Sequence, residues 1–510
     1  MDSSGLITKA LPSRRRFLAA IVAGVSTVSL AACGAGTTTV GSATTTVAPS
    51  TSTSVTAAST SASTTASTAS AVQSTTTSSS ATSKAAAAAP ASATVAPTVN
   101  PNTMQLWEPG WDTNGSIVKG YAAALDALTA KNPKVATVIV SATPYPDKFL
   151  TASAGGTPPD LVLLVPEQDL AYKQLIKSLD AYMQTGKVNT ADFVAAGMEQ
   201  TAYKGHQYML PLQVDPNFPL VYNKSNFQQA GIDKPPATMS EVDDANQKLF
   251  KKNGPDIAQL GMLPPWSTYG STNALYTYFL MFGGGWYDPS DKNKLALQQP
   301  GNVNALTWMK KYADQFGGYD AIKKFAGTWG KQGYPDGMAH GFVTMGPMVS
   351  ANYTTAVTAA KGTALADAFA VGLMPVAEGV KADPAWVGGW AIGIPTGAKR
   401  PDDSWTVLEW MAASPDGTET WAEINGFLPG YSKSPYFDKH ASDPAVGQYI
   451  TVLKGAQHPH SVYRLGWSDI PPKAFDDLLL NTVQGKTDIS TALQQFETVV
   501  TGTLKQYSGA

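Results

Sequence analysis

From about residue 101 onward the apolar positions follow two rhythms. MQLWEP (104–109) suits a strand, and Ile117, Val118, Tyr121, Leu125 and Leu128 then recur three and four residues apart, as on one face of a helix. KVATVIV (134–140) predicts a second strand, DKFLTASA a helix closed by Gly155-Gly156, and PDLVLLV (159–165) a buried third strand. Strand and helix in alternation predict an α/β fold, a parallel sheet with helices on both faces. LPLQVDPNFPLVYNK (210–224) reads as a long extended crossing steered by Pro211, Pro216 and Pro219, and residues 236–252 return to helical spacing. YDPSDKNKLALQQ (287–299) has the turn-rich centre of a hairpin. A calcium loop there is rejected, because Lys292 would point an ammonium at the metal. At the end, Phe475, Leu478, Leu479 and Val483 form one amphipathic stripe and Ile489, Leu493, Phe496 and Val500 another, parted by Gly485. Two packed terminal helices are expected.

The first hundred residues follow neither rhythm. A basic patch Arg14-Arg15-Arg16, an apolar stretch from Phe17 to Leu30 and small residues before Cys33 have the layout of an export signal. The apolar stretch falls short of the roughly 20 residues that a membrane span needs. SRRRFL resembles the twin-arginine motif and LAAC (30–33) the lipobox of bacterial lipoproteins. Residues 1–32 are therefore expected to be a signal peptide, and Cys33, the one cysteine in 510 residues, a lipidated anchor to the cell membrane on its outer side. With that thiol spent, no disulfide, thiol nucleophile or cysteine-ligated metal remains. Residues 33–100 are expected to carry the lipid and a disordered tether of Ser, Thr, Ala and Val, in which Lys84 is the only charge. About 65 such residues reach roughly 45 Å as a flexible coil.

Charge and motif content narrow the function. The chain carries −2 overall, and loss of residues 1–32 leaves 32 basic against 37 acidic side chains, a poor footprint for nucleic acid. There is no G-x-S-x-G, P-loop or H-E-x-x-H, and of the five histidines only His458 and His460 lie close, in a loop-like H-P-H. No metal or other cofactor is expected. Aromatic residues stand out: 12 Trp, 20 Tyr and 16 Phe, many in Gly/Pro-rich segments. Trp107 and Trp111, Trp266 and Tyr269, Trp286, Trp386 and Trp390, and Trp467 are examples. As a set they suit a cleft that stacks on sugar rings, while carboxylates and amides bond the hydroxyls. Ligands of open parallel sheets sit at the carboxyl ends of strands. Trp107, Glu108 and Trp111 follow the first strand and Glu167 the third.

Several segments together resemble the family 1 extracellular solute-binding proteins, the maltose-binding-protein-like sugar receptors of bacterial ABC importers. GGTPPDLVLL (155–164) is similar to the family's G-x-P-D strand, and KGHQYMLPLQ with LVYNKSNFQQAGIDKPPATMSEV (204–242) is the most specific stretch. FLMFGGGWYD (279–288), DGMAHGFVTMGPM (336–348), WVGGWAIGIPTGAKRPDDSW (386–405), EINGFLPG (423–430) and LLNTVQGKTDISTALQQF (479–496) follow in the family's order. One departure is GMAHGFVTM, where the family commonly has a lysine or other polar residue before Ala-Met.

The resemblance implies a two-lobed periplasmic-binding-protein-like fold (type II), each lobe a sheet flanked by helices, joined by crossing hinge strands. Lobe 1 would comprise 101–214 and 391–432, and lobe 2 residues 215–390 and 433–510. By motif, Trp107, Glu108, Trp111 and Glu167 would come from the first lobe, Asp215 and Asn217 from the first crossing, and Gly388, Gly389 and Trp390 from the second. Trp266, Tyr269 and Trp467 would face them. Glycines 388 and 389 would let backbone approach a ligand closely; a plain strand bulge explains them as well. The implied protein is a monomer that binds a carbohydrate, an oligosaccharide, and hands it unchanged to ABC permease subunits. A tethered glycan-processing enzyme, or the same fold carrying a polyamine, peptide or sulfonate, are the alternatives.

Overall fold

The computed structural model describes residues 103–508 apart from 366, 382–383, 457 and 460–463. The export signal, Cys33, the tether and His460 lie outside the described residues.

The strands that organise the fold are β1 (Met104–Glu108), β2 (Thr137–Ser141), β3 (Leu161–Leu164), β4 (Met209–Asn217), β5 (Leu220–Asn223), β6 (Asp256–Met262), β7 (Val343–Pro347), β8 (Phe369–Gly372) and β9 (Trp386–Gly393). β1 pairs in parallel with β2 and with β3, and α1 (Ser116–Lys131) and α2 (Asp147–Ala154) fill the crossovers. The expected helix face on α1 is the buried one: Val118, Tyr121, Leu125 and Leu128 are all covered. β2 begins three residues later than its sequence suggests. Asn132 accepts from the Lys134 N–H and Pro133 opens a 3₁₀ turn through Val135, which uses up the start of the apolar run.

The sheet is not purely parallel. β9 runs antiparallel to both β3 and β4, and a two-residue strand, Leu428–Pro429, closes the β4 side. β4 is buried along its whole length, yet it contains Pro211 and Pro216, which cannot donate to a ladder. The register shifts opposite Trp390 and Ala391, which pair with Gln213 and Pro211. This bulge leaves Leu212 without an opposite residue and places Pro211 where the ladder is already interrupted.

β4 passes through Phe218 and Pro219 directly into β5, which belongs to a second sheet ordered β8, β5, β7, β6 and the short strand Lys251–Asn253. Thr238 and Glu241 form a reciprocal cap at the start of helix Met239–Leu249. The hairpin expected within 287–299 is present as Tyr287–Asp288 against Asp291–Leu295. Both terminal stripes are buried apart from half-buried Ile489, in the helical stretch 472–483 and in helix Ile489–Leu504. They cover the helices of the second sheet.

Candidate functional site

β1 ends on Glu108, which lies on the same buried face as Met104 and Leu106. Its carboxylate curls back and accepts the N–H groups of Gly110 and Trp111, both at 2.7 Å. These bonds fix the loop and aim the Trp111 ring. That ring meets Trp390 edge-on at 5.0 Å and 79°, and Tyr145, from the loop after β2, also meets Trp390, at 5.7 Å and 64°. All three rings are half-buried, so they form an aromatic wall that keeps some face free.

Beside the wall, β4 presents Gln213, Asp215 and Asn217 at every second position, opposite Trp390, Gly388 and Trp386 of β9. The Tyr121 hydroxyl donates to Gln213. The Ser350 hydroxyl, at the start of helix Ser350–Ala360, donates to Asp215 at 3.2 Å. Burial pushes the Asp215 carboxyl up to about 7, with the Ser350 bond opposing. Burial, and secondarily Asp215, pushes the Tyr121 phenol well up. Among the described residues, Glu108 Oε1, Gln213 Nε2 and Asn217 Oδ1 have no hydrogen-bond partner although each residue is at most 6% exposed. Three such atoms in one sheet, on β1 and β4, are unusual in a core, where polar atoms are almost always paired.

The two glycines are explained by strand packing. A Cβ on Gly388 would lie 2.1 Å from Asn217 Nδ2, and one on Gly389 2.1 Å from the Gln213 carbonyl oxygen, at a backbone φ of +126°. The space belongs to β4 itself.

The far side of Asp215 leads to a hydroxyl and amide cluster. Tyr269 stacks on Phe218 at 4.9 Å and 2°, and its hydroxyl is shared with the Tyr334 hydroxyl, the Asn352 amide and, at 3.4 Å, the Val349 N–H. Tyr269 has φ +42°, a left-handed conformation that a bulky side chain adopts only when its surroundings enforce it.

The structure thus brings together Glu108, Trp111, Asp215, Asn217, Tyr269, Gly388, Gly389 and Trp390. Four expected residues lie elsewhere. Trp107 points to the opposite face of the sheet, under the Lys148 ammonium at 4.7 Å and against a small core around Phe149 and Leu164. Glu167 sits in a carboxylate cluster with Asp169, and burial, reinforced by Asp169, raises it to about 7. The Trp266 ring packs on Tyr319 and Tyr312 at 5.3 and 6.0 Å. Trp467 is 3% exposed and packs against Trp286 at 5.5 Å. Sequence reasoning passed over Tyr145, Gln213, Tyr334, Ser350 and Asn352. Tyr145 follows the carboxyl end of β2, and Gln213 stands two positions before Asp215, so both carried a usable signal.

Residues 123–448 match the model of a family described as bacterial extracellular solute-binding protein. A maltooligosaccharide ABC transporter solute-binding lipoprotein of Streptococcus pneumoniae is 22% identical over 323 residues, which cover 61% of this chain and 68% of that one. Among solved structures, CpMnBP1 with mannotriose bound is 25% identical with a TM-score of 0.66, covering 78% of this chain and 99% of that one. The sugar-binding protein MalE from the phytopathogen Xanthomonas citri shares the fold at 19% identity and a TM-score of 0.65, over 80% of this chain and 98% of that one.

Proposed function

Because this chain belongs to the bacterial extracellular solute-binding proteins, we propose that it captures an oligosaccharide in the cleft between its two sheets and delivers it unchanged to an ABC permease. The observation that carries this reading is the aromatic wall of Trp111, Trp390 and Tyr145 beside the Gln213 and Asp215 side chains. Aromatic faces stack on the C–H faces of sugar rings, while carboxylates and amides bond hydroxyls. The unpartnered Glu108, Gln213 and Asn217 atoms supply two acceptors and one donor for such hydroxyls. The cargo named for the pneumococcal relative and the mannotriose bound by CpMnBP1 agree with this class of ligand. Transport proteins of this kind bind by hinge closure, and β4 and β9 are the strands on which the two halves would turn. Trp107, Glu167, Trp266 and Trp467 would meet ligand only if the cleft opened differently from the form described here.

Calorimetric titration with maltotriose and mannotriose, followed by chromatography of the recovered sugar, tests the reading. Saturable binding with intact sugar recovered is expected. Shortened products would make the protein a glycan-processing enzyme, and no heat with either sugar would remove this ligand class.

The anchor is part of the same proposal. The LAAC sequence ending at Cys33 and the lipoprotein status of the pneumococcal relative support a diacylglyceryl thioether on Cys33, after export through the twin-arginine-like signal. Cys33→Ala is expected to abolish fatty-acid labelling and to move the protein from the membrane fraction to the soluble extracytoplasmic fraction. Unchanged membrane association would rule the anchor out.

A further inference from the structure

We propose that the oligosaccharide carries a protonated amine, and that its ammonium sits in the corner between the Trp111 and Trp390 rings, next to the Glu108 carboxylate. The proposal rests on the oligosaccharide reading above and names the chemistry that the cargo adds to its hydroxyls. A flat platform of parallel rings would suit sugar faces alone. Here Trp111 and Trp390 stand at 79° with centroids 5.0 Å apart, and Tyr145 meets Trp390 at 64°. In an edge-to-face pair the two ring faces meet nearly at right angles and enclose a corner. All three rings are half-buried, so the corner is shielded and still reachable. A compact cation placed there lies within the roughly 6 Å of both centroids over which a ring attracts it.

The charge beside the corner has one sign. Glu108 is 1% exposed, its Oε2 accepts from the Gly110 and Trp111 N–H groups, and its Oε1 has no partner. The carboxylate is thus tied to the backbone of the residue whose ring makes the corner. Asp215 faces Gly388, two residues before Trp390, and accepts from Ser350. Burial raises its carboxyl and only that bond opposes, so among the described residues no cation offsets its charge. Lys148, three residues after Tyr145, turns away: it donates to the Ser141 carbonyl and lies over Trp107. A buried carboxylate without a cation is costly, and sugar hydroxyls offset that cost only in part because they bring no charge. A ligand ammonium brings the charge together with three donors. A uronic acid would add a further negative charge and should be refused.

The test compares two trioses by calorimetric titration of the full chain near neutral pH. Chitosan triose carries an ammonium on each ring, and cellotriose has the same linkage with a hydroxyl in its place. Chitosan triose is expected to bind about tenfold more tightly or better, and trigalacturonate to give no saturable heat. Glu108→Gln keeps an acceptor for the Gly110 and Trp111 N–H groups and removes the charge, so it should bring the ratio of the two affinities close to one. Thermal melts show whether this variant folds, and the comparison of trioses on the unsubstituted protein stands without it. Equal affinity for the two trioses overturns the ammonium site even where maltotriose binds and the oligosaccharide reading holds. So does trigalacturonate binding as tightly as chitosan triose, or a preference that Glu108→Gln leaves at full size. Tight binding of chitosan triose with no heat from maltotriose or mannotriose supports the ammonium site, and only the neutral cargoes fall. If no triose binds, chitosan triose included, the oligosaccharide reading falls and the ammonium site with it.

Discussion

Asp215→Asn is expected to make the sugar-free protein more stable at pH 8 and to weaken its grip on sugar. The Asp215 carboxyl sits at about 7 in the folded chain against an ordinary 3.8, because burial disfavours its charged form. The folded state therefore holds this proton more tightly than the unfolded state. The sign follows from linkage: stability falls as pH rises from about 3.8 to about 7, and the full penalty applies above. A shift of about 3 units corresponds to at most about 4 kcal/mol. Asparagine keeps the shape and can still accept from Ser350, so it relieves the penalty at pH 8 and gains nothing below pH 4. Denaturant titrations at the two pH values read this difference directly. An equal effect at both would show that the charge on Asp215 is not the cause. Sugar hydroxyls donating to an ionised Asp215 would form charge-assisted bonds of about 1.5 to 3 kcal/mol. Their loss should weaken binding about ten- to 150-fold at pH 8. Normal affinity in the variant would remove Asp215 from the site.

Two tryptophans should fail in opposite ways. Trp390 stands half-buried beside Trp111 and Tyr145, and Trp390→Ala should weaken sugar binding by about 1 to 3 kcal/mol, by analogy with bases stacked on aromatic side chains. That is roughly five- to 150-fold in Kd, with a much smaller loss of stability. Trp467 is 3% exposed under the terminal helices, and Trp467→Ala should lose about 3 to 5 kcal/mol of stability. Titration and melting of both variants separate the roles. A Trp390→Ala protein that melts early and binds normally would return that ring to the core.

The difference between these two residues also shows what the sequence made readable. Both lie next to glycines, Trp390 in VGGWAIG and Trp467 in RLGWSD, and a Gly-flanked aromatic reads as a loop residue near ligand. Whether a distant element closes over it is a tertiary fact, and Trp467 is covered by Trp286 from far earlier in the chain as well as by nearby Phe475. The helix face on α1 was readable because its spacing is a local property. The glycine pair was half readable: a backbone requirement was evident, but its cause, the Gln213 carbonyl and the Asn217 amide, lies 171 or more residues earlier in the chain. Asp215 drew attention as a carboxylate, whereas Gln213, on the same face of the same strand, has no charge to mark it. Tyr145 was hidden among prolines in TPYPDK, which signal a turn and nothing about what the turn displays.

β4 supplies Leu210, Leu212 and Val214 to the main core while Gln213, Asp215 and Asn217 alternate with them beside the proposed site. Any attempt to redirect this protein to another cargo therefore meets two kinds of position. Variation along the strand would trade specificity against folding, residue by residue, because each side chain has a core neighbour on either side. Trp111, Tyr145 and Asn352 stand outside the paired strands, at half-buried positions. A library confined to these three would sample new cargo shapes on a scaffold whose central ladder is left intact, and most of its members should still fold.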